Sequence, residues 1–317
     1  MEKNNFTCLV GLLFYLILVS GFNGCAGSAV KNQNTGPLTE SAPASPEAET
    51  AYQKAEALFN EGKFSLSYKI LKNLRKQTKN QEQQERIMFL KTETVFRMEK
   101  YESAYDLYEQ YLTLFPKSAK LPQVIERQFE IGFIYLTGLR HKKLFGLGLL
   151  PGTEWGMNVI RTTLQRYPYA EPAEKYHLKL CDILFEQKLM AEARLEYESF
   201  RKTYPKSESV PRALFQTGRC YLSEYLGTNY DKEPLINARG ILEKFLSRYS
   251  QHPLAAQVNA YLKEIISALA ERDYEIACFY LRSNQPDAAL IYFNHVIKNY
   301  PETKWAAESQ EQLKNIK

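Results

Sequence analysis

The sequence is poor in several residue types, and each shortage excludes a class of protein. Its 317 residues contain only five cysteines, which is too few for a scaffold held together by disulfides. Lys and Arg outnumber Asp and Glu by only 41 to 36, so the net charge of +5 does not indicate nucleic-acid binding, and we expect none. Gly and Trp are scarce, at 15 and two, beside 22 Tyr and 17 Phe. The fold must therefore use Tyr and Phe in quantity.

Motifs that carry catalysis are also missing from the sequence. It contains no phosphate-binding loop, no dinucleotide-binding glycine fingerprint and no Gly-x-Ser-x-Gly motif. The four histidines are dispersed and form no His-Glu-x-x-His zinc motif. We therefore expect no enzyme activity, no catalytic residue, no cofactor and no metal site. His177 falls where a helix needs a large packing residue, so we interpret it as a core residue rather than a ligand.

One apolar run stands out, and it lies at the N-terminus. Residues 8–19 form twelve consecutive mostly apolar residues, which is shorter than a bilayer span of about 20 residues and typical of a signal-peptide core. Gly24-Cys25 follows this run, and a small residue directly before a cysteine resembles the lipobox of bacterial lipoproteins, although Phe22 and Asn23 depart from it. The resemblance implies cleavage before Cys25 and attachment of diacylglycerol and palmitate to this residue. The alternatives are an uncleaved signal anchor and ordinary secretion with a free thiol.

The next segment has the composition of a tether. Residues 26–46 consist mainly of Ala, Ser, Asn, Thr, Gly and Pro, and such a segment cannot bury enough apolar surface to offset the entropy lost on folding. As a flexible chain it reaches about 25 Å on average. We predict a signal peptide over 1–24, a lipid-anchored tether over 25–46 and a folded region over 47–317. Ala26 after the lipobox cysteine resembles the sorting signal for the outer membrane.

From Ala48 onward, apolar residues recur every three or four positions, which is the helix period. When the Tyr-Pro and Phe-Pro pairs are aligned as the ends of units of about 34 residues, two positions are always small and two always large. The small positions are Ala55, Thr92, Gly132, Cys181, Gly218 and Ala277 in the first helices and Ser67, Ala104, Gly156, Ala193, Ala238 and Ala289 in the second. The large positions are Leu58, Val95, Tyr135, Leu184, Tyr221 and Tyr280, then Leu71, Tyr108, Ile160, Tyr197, Leu242 and Phe293.

This pattern resembles the tetratricopeptide repeat, in which paired helices approach closely at small residues and a large residue one turn away fills the gap against the next pair. The resemblance implies an all-α fold, a tetratricopeptide-repeat α-solenoid of about six helical hairpins plus a C-terminal capping helix over Thr303–Ile316. Insertions are expected at 139–152 and 227–234. Residues 253–269 have the helix period and are expected to extend the helix that ends near Arg282.

The remaining cysteines and one loop have several interpretations. Cys181 occupies a small position and, like Cys220 and Cys278 beside that position, is interpreted as a packing residue. A Cys181–Cys220 disulfide is the alternative. The apolar, glycine-containing segment 144–150 is interpreted as a docking loop, a locally packed loop or a loop that touches the membrane.

In stacked repeats the first helices line the concave face, so their aromatic side chains are candidates for binding a peptide or partner. The candidates are Tyr52, Phe59, Phe89, Phe96, Phe129, Phe133 and Phe185, together with the acidic residues Glu56, Glu93 and Asp182. Aromatic and acidic groups along a groove suit an extended peptide that carries aromatic residues. The alternative is that these rings pack between neighbouring repeats.

A lipobox-like cysteine, a short tether and tetratricopeptide helices are together similar to the outer-membrane assembly factor D (BamD-like) lipoproteins. Residues 271–281 and 288–303 carry the most specific similarity. The resemblance implies a lipid-anchored protein of the outer membrane that faces the periplasm. Its expected partners are subunits of the β-barrel assembly machinery and unfolded outer-membrane proteins. The alternative function is a periplasmic repeat protein that coordinates cell-wall synthesis or division.

Overall fold

The computed structural model describes residues 45–138 and 151–316, and all regular elements in these residues are helices. In chain order they are α1 (Pro46–Asn60), α2 (Phe64–Gln77), α3 (Gln81–Arg97), α4 (Tyr101–Leu114), α5 (Leu121–Leu136), α6 (Pro151–Arg166), α7 (Ala173–Glu186), α8 (Met190–Thr203), α9 (Val210–Ser223), α10 (Glu233–Tyr249), α11 (Ala255–Arg282), α12 (Pro286–Asn299) and α13 (Lys304–Asn315). The first helix begins where Ser45 accepts a hydrogen bond from the backbone N–H of Ala48, which is an ordinary N-cap.

Six helical hairpins, α1/α2 to α11/α12, and the additional helix α13 follow one another in the described residues. This is the all-α tetratricopeptide-repeat fold that the sequence predicts. The chain forms two compact units, of which the first ends at Ala104 and the second begins at Tyr105. In the first unit, Tyr52, Leu71 and Ile87 belong to a core between α1, α2 and α3. In the second unit, Leu214, Leu242 and Ile265 belong to a core that α9, α10 and α11 share.

The small positions are contact points between the two helices of a hairpin. All twelve predicted small residues are buried. In the first hairpin, the Ser67 hydroxyl donates a hydrogen bond of 2.8 Å to the carbonyl of Ala55. In the third, a Cβ added to Gly156 would lie 2.6 Å from the carbonyl oxygen of Gly132. The two small positions therefore face each other directly, with room for at most a small side chain.

The large position of the second helix covers the small position of the first. Its six residues, from Leu71 to Phe293, are at most 1% exposed. A Cβ on Gly132 would lie 2.5 Å from Ile160 Cγ1, and one on Gly218 would lie 2.6 Å from Leu242 Cδ2. The large side chain thus fills the gap inside its own hairpin, whereas we expected it to pack against the next one. In the other large column, four of the six residues are only half-buried.

The helix ends follow the sequence signals. Phe115-Pro116, Tyr167-Pro168, Tyr204-Pro205 and Tyr300-Pro301 each come directly after a second helix, because a proline cannot continue the hydrogen-bond ladder and disfavours helix in the residue before it. The Tyr204 hydroxyl also donates a 2.7 Å hydrogen bond to the carbonyl of Pro168, which ties two successive hairpins together. The predicted extension is confirmed, since α11 has 28 residues and ends at Arg282.

The turns inside the hairpins share a left-handed residue that the sequence pattern did not reveal. Gly62, Glu99, Lys188 and Asn284 have φ angles of 77°, 57°, 64° and 56°. Each comes just after a first helix, where a positive φ closes the helix with a backbone hydrogen bond. Only the first of these is glycine, so the hairpin imposes this conformation on residues that adopt it at a cost.

Several predictions concern residues outside the described part of the chain. The signal peptide, Cys25, residues 25–44 of the tether and the segment 144–150 all lie there. Of the insertion at 227–234, Glu233 and Pro234 form the start of α10. Among the described residues, no helix combines the length and apolar character needed to cross a membrane.

The first unit contains a buried cation. Lys91 on α3 is only 9% exposed, and its Nζ lies 5.8 Å from the centre of the Tyr68 ring. Burial, reinforced by the positive charges of Arg75 and Lys72, lowers the pKa of Lys91 to about 8. No carboxylate of the described residues forms an ion pair with it. An unpaired buried charge is costly, so Lys91 reduces the stability of its own surroundings.

The close contact in the third hairpin predicts that replacement of glycine by alanine has opposite effects on stability at Gly156 and Gly240. Gly156→Ala should lower the free energy of unfolding by about 2–3 kcal/mol, because the new Cβ meets the backbone of α5, which cannot move aside cheaply. Gly240→Ala is the matched control, since nothing lies within 4 Å of a Cβ there, and it should stabilise α10 by about 0.5–1 kcal/mol. Thermal and denaturant unfolding monitored by circular dichroism measure both. Equal effects at the two sites would contradict the packing described here.

The buried cation predicts a stability difference that depends on pH. The unfolded chain holds the Lys91 proton up to about pH 10.4, whereas the folded chain releases it near pH 8. The penalty is therefore fully present below pH 8 and disappears as the pH rises through this interval. We expect Lys91→Met to raise stability by about 1–2 kcal/mol at pH 7 and to lose this advantage above about pH 10. Lys69→Met, at an exposed position, should have little effect at either pH. A gain for Lys91→Met that does not change with pH would rule out the buried charge as its cause.

Candidate functional site: aromatic and cationic side chains on the first helices

In the first unit, the candidate Tyr52 is buried in the core and covered by a cation. The Arg86 guanidinium lies 4.4 Å above its ring and donates to both carboxylate oxygens of Glu49, at 3.0 and 3.1 Å. The Tyr52 hydroxyl donates to Glu56 at 3.4 Å, and burial together with the Glu56 charge raises the pKa of Tyr52. Tyr52 is therefore a packing residue, which is the alternative interpretation given above for these rings.

The other three candidates of the first unit, Phe59, Phe89 and Phe96, are half-buried. The ring of Phe59 packs edge-on against Phe64 at 5.5 Å, and the Arg97 guanidinium lies 5.9 Å from the same ring. The ring of Phe96 packs edge-on against Tyr101 at 5.4 Å. These rings pack against neighbours and still leave part of their surface accessible.

In the second unit, Phe129 and Phe133 are buried and join α5 to α7. Both rings stack on Tyr176, with centroid distances of 4.9 and 5.7 Å. The Tyr176 hydroxyl donates to Glu126 at 3.2 Å. The exposed Lys179 places its Nζ 4.4 Å above the Phe133 ring. The rings therefore serve as packing between repeats, and the group presented to solvent beside them is a cation.

Phe185 is half-buried and lies beneath a second cation. The Arg219 guanidinium on α9 lies 4.7 Å from its ring centre, 5.7 Å from that of Phe215 and 5.9 Å from that of Tyr261. One arginine thus lies over rings from α7, α9 and α11, which are the first helices of three successive hairpins. Cation–π contacts of this kind contribute about 0.5–2 kcal/mol each, depending on solvent exposure.

The acidic candidates are engaged within the protein. Asp182 accepts hydrogen bonds from the Tyr197 hydroxyl at 2.7 Å and from Arg212 at 2.8 Å, and Glu93 is buried. Cations lie over the rings on the first helices of the second unit, Lys175 and Lys179 over Tyr176 and Arg219 over Phe185. The combination of aromatic surface and positive charge suits a ligand that offers carboxylate or carbonyl oxygens and apolar groups.

Five residues of this surface were not among the candidates from the sequence: Tyr176, Lys179, Phe215, Arg219 and Tyr261. The helical spacing contained a signal for them, because Lys179 follows Tyr176 by three residues and Arg219 follows Phe215 by four. Residues at this spacing lie on the same helix face. The spacing does not reveal which ring of a neighbouring hairpin comes within reach.

His177 is a core residue, as predicted. It is 3% exposed and packs edge-on against Phe200 and Tyr204, while its Nε2 lies 3.4 Å from a carboxylate oxygen of Glu196. Burial alone would raise the pKa of Glu196, but His177 and Arg161 outweigh this and lower it. The cluster thus joins α6, α7 and α8 through the Arg161–Glu196 ion pair and the buried His177 ring beside it.

The cysteines of the described residues are packing groups. Cys181 and Cys220 are fully buried and free, so the alternative disulfide is not formed, and Cys278 is half-buried and also free. Burial raises the pKa of Cys220 to about 12, which leaves the thiol protonated and unreactive. No cluster of metal-ligating side chains occurs within 45–138 and 151–316.

Comparison with known proteins relates the chain to outer-membrane assembly factors. Two curated relatives are named "Outer membrane protein assembly factor BamD". The one from Vibrio cholerae is 26% identical over 46% of this chain and 65% of its own length. The one from Caulobacter vibrioides is 22% identical over 60% of this chain and 61% of its own length. The chain therefore spans less than two thirds of either relative.

Solved structures with tetratricopeptide repeats are also similar, at low identity. One is a repeat protein from Parabacteroides merdae, 13% identical, with 85% of this chain and 98% of that chain covered and a TM-score of 0.36. A score this low supports no statement about function.

A family model assigns the chain to a family. The model described as "YfiO: Outer membrane lipoprotein" matches residues 157–316, which are 160 of the 317 residues. The matched region contains α7 to α13 and most of α6, including Phe185, Arg219 and Tyr261. The chain therefore belongs to the YfiO family of outer membrane lipoproteins.

Proposed function

We propose that this protein is a non-catalytic scaffold of the machinery that assembles β-barrel proteins in the outer membrane. In this role it binds the barrel subunit of the machinery, unfolded outer-membrane proteins, or both, through its helical repeats. The protein is held by a lipid on Cys25 and faces the periplasm. The observation that carries the proposal is the family match over residues 157–316. The two relatives named as outer-membrane protein assembly factors support it.

The cation–aromatic surface is the proposed site for an unfolded substrate segment. We define it as Phe133, Tyr176, Lys179, Phe185 and Arg219, with Phe215 and Tyr261 beneath the arginine. An extended chain exposes carbonyl oxygens and alternating apolar side chains, which match the cations and the half-buried rings of Phe185 and Tyr261. The surface is formed by the consecutive first helices α5, α7, α9 and α11, and each of them contributes at least one ring. A bound segment therefore contacts several hairpins at once.

Exposed apolar side chains near the C-terminus support a second contact area for the barrel subunit. Phe279 on α11 is 57% exposed and Ile291 on α12 is 69% exposed, and the rings of Tyr280 and Tyr292 from the same two helices stack at 5.5 Å. Large exposed apolar side chains on one hairpin are a common feature of protein interfaces. The two contact areas have different chemistry, so a scaffold can hold a partner and a substrate together.

Affinity purification of the full chain from detergent-solubilised membranes tests the scaffold role. We expect the barrel subunit to co-purify with it. The double variant Lys179→Ala/Arg219→Ala should retain the barrel subunit and bind a urea-unfolded outer-membrane protein about tenfold more weakly. The double variant Lys202→Ala/Lys244→Ala is the matched control, because it removes two exposed cations elsewhere in the second unit, and it should bind as the wild type does.

Two outcomes would contradict the proposal. Co-purification of peptidoglycan synthases in place of the barrel subunit would assign the protein to cell-wall synthesis or division. Equal loss of substrate binding in both double variants would show that general charge, not the cation–aromatic surface, holds the substrate.

The lipid anchor is tested separately at Cys25. Cys25→Ser removes the acceptor thiol, so we expect no diacylglycerol on the protein and no cleavage before residue 25. Mass spectrometry of the purified chain and metabolic labelling with palmitate measure both. Cys8→Ser, which changes the other N-terminal cysteine, should leave both reactions intact. Palmitate incorporation in the Cys25→Ser chain would contradict the assignment.

A further inference from the structure

The positive charge of this protein is concentrated in one short segment. Residues 62–81 contain six Lys and Arg and no Asp or Glu. Their charge of +6 exceeds the net charge of +5 of the whole chain, so all other residues together contribute −1. The modest net charge therefore conceals a strongly basic region in the first unit, formed by α2 and the residues at its two ends.

Helix geometry places these cations on one side of α2. At 3.6 residues per turn, Lys69, Lys72, Arg75 and Lys76 lie within an arc of about 120°. Ser67, Leu71 and Leu74 on the opposite side are buried against the neighbouring helices. The three lysines are exposed and Arg75 is half-buried. No ion pair with a described carboxylate involves any of these four side chains.

Lys91 from α3 adds a fifth cation to the same region. Arg75 and Lys72 are the charged groups that act on it, its Nζ lies above the Tyr68 ring of α2, and it is nine-tenths buried without a carboxylate partner among the described residues. Burial also lowers the pKa of Arg75. A buried cation between two others weakens the fold, and a bound anion would remove this cost by pairing with all three.

We propose that Lys69, Lys72, Arg75 and Lys76 of α2 with Lys91 of α3, here called the basic face, bind the phosphates of anionic phospholipid headgroups and dock the first unit on the membrane. This inference rests on the lipid anchor of the proposed function. Only 19 residues separate Cys25 from Ser45, and such a chain reaches about 25 Å on average. The first hairpin is therefore the first folded part of the chain after the lipidated cysteine, and it lies within this reach of the anchor. Near an anionic membrane surface each Lys or Arg contributes about 1 kcal/mol.

Native mass spectrometry of the mature, detergent-purified full chain tests this with defined probes. The chain is titrated with phosphatidylglycerol, phosphatidylcholine, inorganic phosphate or a glutamate-rich peptide. We expect phosphatidylglycerol to bind preferentially, and its affinity to fall when salt is raised from about 0.05 to about 0.5 M. The variant Lys69→Gln/Lys72→Gln/Lys76→Gln should weaken this binding about tenfold or more.

Two further variants separate the basic face from general charge and from misfolding. Lys202→Gln/Lys206→Gln/Lys244→Gln removes three exposed lysines of the second unit and should bind phosphatidylglycerol as the wild type does. Lys91→Met, which we expect to fold more stably, should still weaken binding about fivefold, so its loss of binding cannot come from unfolding.

Three results would overturn the inference. The first is equal affinity for phosphatidylcholine and phosphatidylglycerol. The second is binding of inorganic phosphate or of the acidic peptide that is as tight as binding of phosphatidylglycerol. The third is an equal loss of phosphatidylglycerol affinity in the two triple variants. The assay contains no barrel subunit. Lipid binding can therefore be absent while the barrel subunit still co-purifies, and lipid binding can be present while the barrel subunit does not co-purify. Failure of this inference is thus distinguishable from failure of the proposed function.

Discussion

The fold depends on how closely the two helices of each hairpin approach each other. Opposed small residues permit this approach, as Gly156 against the carbonyl of Gly132 and Ser67 against that of Ala55 show. A large residue of the second helix then covers the small position of the first, and its side chain is almost fully buried in every hairpin. Because the contact is made within a hairpin, each hairpin has its own packed interior, and its outer helix faces remain available for neighbours and ligands.

The surplus of aromatic residues follows from this arrangement. Tyr197 and Phe293 fill large positions inside hairpins, and other rings join one first helix to the next, as Phe129 and Tyr176 do. Cations lie over the outermost rings, so the surface of the first helices in the second unit is both aromatic and positive. Rings that join hairpins, such as Phe133, thus also lie beneath the cations of the proposed binding surface.

Charge is distributed unevenly along the chain, whereas the aromatic residues recur regularly. Several ionic side chains pair across neighbouring helices, for example Glu196 with Arg161 and Asp182 with Arg212. The basic face of α2 and Lys91 is different, because no carboxylate of the described residues neutralises it. The buried, unpaired charge of Lys91 lowers stability, so an external anion that paired with this cation would stabilise the fold.

Local sequence by itself determined the helices, their ends and the pairing of helices into six hairpins, because helix period, proline and small–large alternation act over a few turns of chain. Gly132 and Ile160 illustrate this, since their columns were identified from spacing alone. Only the tertiary structure decided that Tyr52, Phe129 and Phe133 are buried while Phe185 is half-exposed, that Arg219 reaches rings of three helices, and that Glu99 and Lys188 adopt left-handed turns. These features depend on contacts between residues distant in the chain, and a single sequence contains no local signal for which distant side chain covers a given ring.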